Sequence, residues 1–243
     1  MGTSLMCDVC WDKKKVINGN CWVAYFDILG FSKRVNELKE HLDVFVKVYY
    51  EDILAEIKGR SRRISQALRN EIRYAWFSDT FIFFSKDAGP QSYISIELLS
   101  REFLNSQIYA RHPLRGALSV GEFYSEKEKD IFVGPALIDA YKYAERQNWI
   151  GFVLTPKACG NLNQHGIQDR VNYIEYDVPF KAGKSKRLLA YKLKMVVSGE
   201  NILLEHIHQM QQEAKNKYPD EYEARYKTIY ENTLKFMEST KVH

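Results

Sequence analysis

Two aspartates and a few cations are the residues of this chain that could do chemistry together. Asp27 closes an apolar run that begins at Cys21, and Gly30 and the helix-starting Ser32 follow at once. That order predicts a buried strand ending on a carboxylate, a tight turn, and a helix N-terminus at Ser32. The carboxylate can hold a hard cation, and the backbone N–H groups of Gly30, Phe31 and Ser32 can hold an anion, so the stretch suits a metal-bound phosphate. Asp79 has a comparable setting, in a Ser78-Asp79 turn between two runs rich in aromatic and β-branched residues. Arg115 stands near the start of the next apolar run, and its guanidinium fork matches phosphate oxygens. Lys184 and Lys186 lie in a cationic stretch ahead of Leu188. Each residue also has a plain alternative: an aspartate that only forms a turn, an arginine satisfied by a carboxylate, lysines on a solvated face.

A sheet is needed to bring these residues together. Apolar spacings of three and four from Phe31 to about Lys58 predict a helix ended by Gly59, followed by the basic loop 60–63. Residues 72–85 predict an interior hairpin with Asp79 near its tip. A helix over 92–110 ends at His112-Pro113. Strands follow at 114–124 and 131–133, then a helix over 136–146 opened by Gly134-Pro135, a strand at 151–154, and a helical turn at 155–160. A strand at 171–177, a cationic loop at 181–187 and a further strand lead into a helical tail over 201–237 that breaks near Pro219. The order predicts an α+β fold: a ferredoxin-like mixed sheet with packed helices and a C-terminal helical extension. The expected divisions are an N-terminal extension at 1–20, a main domain at 21–197, and the extension at 198–243.

The composition sets wide bounds. The chain has 243 residues, 45% apolar and 27% charged, with a formal net charge of +4. That size can bury a full core, and the mild positive charge suits an anionic ligand without demanding nucleic acid. No apolar run reaches the ~20 residues of a membrane span, and no signal-peptide core precedes the first strand, so a cytoplasmic protein is expected. Cys7 and Cys10 form a lone C-x-x-C with no second ligand pair, which reads as free cysteines in an N-terminal extension.

The quoted residues resemble the catalytic domain of the class III nucleotidyl cyclases over roughly residues 21–195. In that family an aromatic residue precedes a strand-end Asp-Ile-x-Gly-Phe, and Phe26, Asp27, Ile28, Gly30 and Phe31 stand there. The family's second aspartate follows a glycine in a hairpin turn, where this chain has Ser78-Asp79. Arg115 and Gly121 match an arginine six residues before a glycine, and Gly134 matches the glycine that opens the next helix. The resemblance implies two Mg²⁺ or Mn²⁺ ions per site on Asp27, Asp79 and the Ile28 carbonyl. It implies phosphate contacts from Gly30, Phe31, Ser32, Arg115, Lys184 and Lys186. The family's helix after that glycine bears an asparagine and an arginine, which this chain lacks; Lys142 or Arg146 is the expected substitute for the arginine. Arg73, Ala75 and Phe77 fall at the base pocket. Purine-selective members have lysine where Ala75 stands, so a pyrimidine is expected, as in the similar cyclases of the Pycsar antiphage systems. UTP is favoured over CTP. A homodimer with sites at its interface and a downstream effector that senses the cyclic product are implied. Two alternatives stay open: an adenylate or guanylate cyclase, and a degenerate module that binds nucleotide or partner without turnover.

Overall fold

The structure is a computed structural model that describes residues 16–37, 41–45, 72–168 and 171–240. Cys7 and Cys10, most of the helix expected over 31–58, and the basic loop at 60–63 lie outside these residues.

The longest apolar stretches form a mixed sheet. Its strands are β1 (Ile17–Ile28), β2 (Ile72–Phe77), β3 (Thr80–Ser85), β4 (Leu114–Glu126), β5 (Ile131–Val133), β6 (Gly151–Leu154), β7 (Tyr173–Phe180) and β8 (Lys184–Tyr191). They run β2-β3-β1-β4-β6-β8-β7, with β5 paired on β4. Only β4 and β6 pair in parallel; the β4-β1-β3-β2 half is antiparallel throughout. That half is the split β-α-β arrangement expected from the sequence, and the fold is α+β.

Alternation along β1 divides the sheet into two faces. Trp22, Ala24 and Phe26 point to the first, where Phe26 meets Phe83, Phe103 and Phe152 with ring centroids 5.1–5.7 Å apart. Helix α2 (Pro90–Tyr109) covers this face through Tyr93, Ile96 and Phe103. The packing also explains a small residue in β4. A Cβ on Gly116 would come within 2.4 Å of the Phe26 ring, so what approaches the backbone there is the core itself. The second face carries Cys21, Val23, Tyr25 and Asp27, and helix α3 (Pro135–Arg146) lies across it, with Ala136 packed among Cys21, Val23 and Ala75.

The C-terminal tail folds onto the same chain. Helix α5 (Ile202–Lys217) is followed by a turn at Pro219–Glu221, a π-helical turn at Tyr222–Tyr226, and α6 (Lys227–Ser239). Phe236 packs on Trp149 with a centroid distance of 4.6 Å, and the Ile150 N–H donates to Thr233 Oγ1 at 2.9 Å. Between β6 and β7, α4 (Pro156–Gln164) is capped by Thr155, which accepts from the Ala158 N–H.

Three expectations change. β1 starts at Ile17, because Asn18, Gly19 and Asn20 pair with Tyr124, Phe123 and Glu122. The 72–85 hairpin is at the sheet edge formed by the described residues, not inside it, and Phe77 is 84% exposed. The cationic stretch Lys184–Arg187 is part of β8, paired along its length with β7, rather than a loop.

Candidate functional site

Register places the first aspartate. Asp27 lies opposite Thr80 on β3 and opposite Arg115 on β4, so all three share the second face at the end where β1 finishes. Asp79 precedes Thr80 in a two-residue turn, and its carbonyl accepts the Ile28 N–H at 3.1 Å, which ties the hairpin tip to the end of β1. Ser78 occupies the left-handed region, φ 55°, a conformation that costs an L-residue roughly 1–2 kcal/mol and that glycine takes freely. α1 (Phe31–Glu37) begins one residue after Gly30, whose own φ of 77° makes the turn possible.

Arg115 is the hub of the site's charges. Its Nη2 is 2.8 Å from Asp27 Oδ2 and 2.9 Å from Glu145 Oε2, and its Nη1 donates to the Gln147 carbonyl at 3.0 Å. The residue is 4% exposed, so in this arrangement its fork faces protein carboxylates and not a ligand. The phosphate clamp expected of Arg115 is not formed in this arrangement, because its fork is buried against Asp27 and Glu145. Gln147 fixes the geometry from behind, with its Nε2 donating to the Gly116 carbonyl at 2.9 Å and its Oε1 accepting from Trp149 Nε1 at 2.7 Å. Arg115 Nε has no hydrogen-bond partner among the described residues.

Asp27 is held between opposing influences. Burial pushes its carboxyl up and Arg115 pulls it down, while Glu145 and Asp79 push it up again; the balance stands at about 7. Asp79 and Asp27 therefore feel each other across one strand spacing. Two carboxylates, one at the end of β1 and one in the hairpin turn tied to it, repelling each other beside a backbone carbonyl, form a hard-oxygen donor set that fits a divalent cation. Among the described residues no group of three or more His, Cys, Asp and Glu side chains clusters as a metal cage.

The other expected residues scatter. Lys142 lies on the exposed side of α3. On the same helix Asp139 accepts from Ser119 Oγ at 2.8 Å. Lys186 Nζ donates to Tyr143 Oη at 2.6 Å, and Lys184 is exposed at the start of β8. Lys181, three residues before Lys184, reaches the network from its exposed rim, with its Nζ 3.6 Å from Glu145 Oε2. Arg73, Ala75 and Phe77 share β2's second face, the face of Asp27; Ala75 is buried, Arg73 half-buried and Phe77 exposed. On that face Tyr25 donates to or accepts from Thr80 Oγ1 at 3.1 Å and packs edge-on against Tyr141, 5.4 Å between centroids.

Nothing in the local sequence marks Glu145, Gln147 and Lys181 as members of this network. The alanine stripe Ala136, Ala140, Ala144 was a usable signal, because it sets which side of α3 meets the sheet and so puts Glu145 at its edge.

No family model matches this sequence, and no curated protein does. Among solved structures the chain is similar to the catalytic core of a rhodopsin-guanylyl cyclase with converted specificity in complex with ATPalphaS, at 9% identity over 73% of this chain and 98% of that one, TM-score 0.47. It is similar to an adenylate cyclase from Trypanosoma brucei at 10% identity, 72% and 90% coverage, TM-score 0.46. A bacterial light-regulated adenylyl cyclase aligns at 15% identity, 81% and 99% coverage, TM-score 0.43.

Proposed function

We propose that this chain is a nucleotidyl cyclase that converts a pyrimidine nucleoside triphosphate, UTP before CTP, into its 3′,5′-cyclic monophosphate and pyrophosphate. The observation that carries the reading is the convergence of Asp27 and Asp79 at one sheet end, the first closing β1 and the second in the β2–β3 turn that bonds to it, beside the Leu29-Gly30-Phe31 turn. Asp27, Asp79 and the Ile28 carbonyl would hold the Mg²⁺ or Mn²⁺ ions. Bound there, two such ions neutralise polyphosphate charge and lower the pKa of the attacking hydroxyl. The ribose 3′-hydroxyl gives its proton to water as its oxygen attacks the α-phosphorus, the bond to the bridging oxygen of the β-phosphate breaks, and pyrophosphate leaves with its electrons. The Gly30, Phe31 and Ser32 backbone N–H groups orient the phosphates. Arg115 acts from beneath, holding Asp27 toward the site.

The base rests on β2's second face, beside Arg73, Ala75 and Phe77. The small, buried Ala75 offers no side-chain donor to a purine, which supports the pyrimidine. Phe77, Ile138 and Tyr141 expose apolar surface around the open flank of this face. A second copy of the chain packed there would cover them and close the pocket, giving a homodimer with sites at the interface. No helix among the described residues is long and apolar enough to cross a membrane. A cytoplasmic enzyme whose cyclic product signals to an effector in antiphage defence is the setting we infer.

The test is product identity. Wild-type protein is incubated with UTP, CTP, ATP and GTP separately in Mn²⁺ and the products are weighed by mass spectrometry. Cyclic UMP or cyclic CMP is expected in excess over any purine product. A dominant purine product would favour the adenylate or guanylate cyclase reading, and no cyclic product from any of the four would leave a nucleotide-binding module.

The state of Asp27 adds a pH prediction. A carboxyl at about 7 keeps a proton on the folded chain that the unfolded chain has already lost, so without cation stability falls as pH rises from about 4 through 7. Cation binding needs the carboxylate, so Mg²⁺ affinity is expected to rise about ten-fold per unit up to pH 7 and then level off. Thermal melts at pH 5.5 and 8, with and without Mg²⁺, check both signs: stabilisation by Mg²⁺ belongs at pH 8.

A further inference from the structure

A cavity of about 500 Å³ lies at the β1–α1 corner, walled by α1, the residues just past α2, and the C-terminal helices α5 and α6. That volume is in the range of small-molecule pockets. Its lining includes Leu29 and Gly30 but neither Asp27 nor Asp79. It takes in residues 110–113 at the end of α2, the helix that covers the first face of the sheet, whereas Asp27 stands on the second. The lower part of the cavity is apolar and aromatic. Leu29, Met210 and Ile229 line it and are buried. Tyr226 and Tyr230 are four residues apart in a helical run, so both rings come from one side of the tail. The Tyr226 hydroxyl is 3.2 Å from the place a Cβ on Gly30 would take. Tyr230 is 5% exposed; burial pushes its hydroxyl up, and Arg34, one turn on from Gly30, pulls it back. Neither hydroxyl has a hydrogen-bond partner among the described residues. A tyrosine buried as deeply as Tyr230 ordinarily has one, and here the hydroxyl is left to whatever fills the cavity.

The rim is charged, and its balance is positive. Lys33, Arg34, Arg111 and Lys217 line the cavity with Glu37 and Glu213. Lys217 Nζ is 2.7 Å from Glu37, Arg111 Nη1 is 2.5 Å from Glu213, and Lys33 Nζ is 2.6 Å from Glu221. These three pairs tie the tail to α1 and to the end of α2, and so hold the walls in place. The fourth cation, Arg34, donates through Nη2 to the Arg111 carbonyl at 3.2 Å, which leaves its charge in place. Burial and the fields of Arg34 and Arg111 hold the His112 imidazole down to about 3, so this lining residue stays neutral. Such a surface favours an anion over a cation.

We propose that this cavity is a second small-molecule site, which takes an aromatic carboxylate: the ring lies among Tyr218, Tyr226 and Tyr230, and the carboxylate accepts from the Tyr226 and Tyr230 hydroxyls on the side of Arg34. Hydrogen bonds from neutral donors to a carboxylate are charge-assisted and so stronger than those to a neutral acceptor. Tyrosine faces pack a flat ring well, and a rigid ring loses less conformational freedom than a flexible chain would. The site belongs to the C-terminal segment and the β1–α1 corner together, and it gives the tail a function beyond packing. The inference stands whatever reaction the face of Asp27 and Asp79 performs.

The test uses the full-length protein, with 2-naphthoate as probe and 2-naphthamide as its uncharged counterpart, each titrated by calorimetry. Naphthoate is expected to bind about ten-fold or more tighter than the amide. Tyr230→Phe keeps the ring and removes only the hydroxyl, so naphthoate affinity should fall about ten-fold. The melting temperature of that variant without ligand should stay at or above wild type, because the lost hydroxyl had no partner. Tyr226→Phe should act in the same direction. Tyr222→Phe is the control: that hydroxyl accepts from Gln211 Nε2 at 2.9 Å and is outside the cavity lining, so affinity should not change. Asp79→Ala should bind naphthoate as wild type does, whether or not any cyclic nucleotide forms. Wild-type affinity in both Tyr226→Phe and Tyr230→Phe overturns the proposal, as does equal binding of acid and amide or no binding of naphthoate by the wild type. Loss of naphthoate binding in Asp79→Ala would move the acid to the metal site and overturn it as well.

Discussion

Arg115→Met is expected to lower the stability of the fold by about 3–5 kcal/mol, the usual loss when one member of a buried ion pair is removed. The guanidinium sits within 3 Å of both Asp27 and Glu145 and also satisfies the Gln147 carbonyl. Methionine matches its length and leaves those acceptors facing apolar atoms. The loss should show as a lower urea midpoint at an unchanged slope. Adding Asp27→Asn in the same chain should recover part of it, since the stranded carboxylate is then neutral; a double-mutant cycle reads the coupling. An Arg115→Met midpoint close to wild type would mean that the network does not hold the strand end together.

Asp79→Ala should have the opposite signature, with activity lost and fold kept. Loss of one cation-holding carboxylate removes several kcal/mol of transition-state stabilisation, so cyclic product should fall by roughly 10³-fold or more. The side chain is only half-buried, and the contact that ties the hairpin to β1 uses the Asp79 carbonyl, which alanine retains. Circular dichroism and melting temperature should therefore match wild type. Product formation at wild-type rate in Asp79→Ala would remove this residue from the site.

Much of the frame was readable from sequence because it is written in local patterns. The two-residue turn at Ser78-Asp79 and the short strand Gly151–Leu154 follow from apolar runs broken by turn residues. The helix opened by Gly134-Pro135 follows from its punctuation. The pairing of Asp27 with Arg115 was not readable, because it depends on the register of β1 against β4, and the two residues are far apart in the chain. The same reason hid Glu145 and Lys181: each comes to the site from the end of an element whose position is set by packing, not by its own sequence. In sequence Lys184 and Lys186 look like part of a loop because they stand in a run of cations, whereas the first half of β8 extends beyond its pairing with β6 and is exposed enough to carry them. Tail helices amphipathic enough to pack could have packed on a partner or on their own chain; Trp149 and Phe236 decide for the latter.

The central claim is that Asp27 and Asp79 together hold a divalent cation, and Mn²⁺ binding followed by electron paramagnetic resonance at pH 8 tests it most directly. Wild-type protein should deplete the free-ion signal, and Asp27→Asn and Asp79→Ala, each still folded, should leave that signal close to buffer alone. Equal Mn²⁺ binding by the wild type and both variants would contradict the account, placing the cation elsewhere and returning the two aspartates to the turn and the ion pair in which they stand.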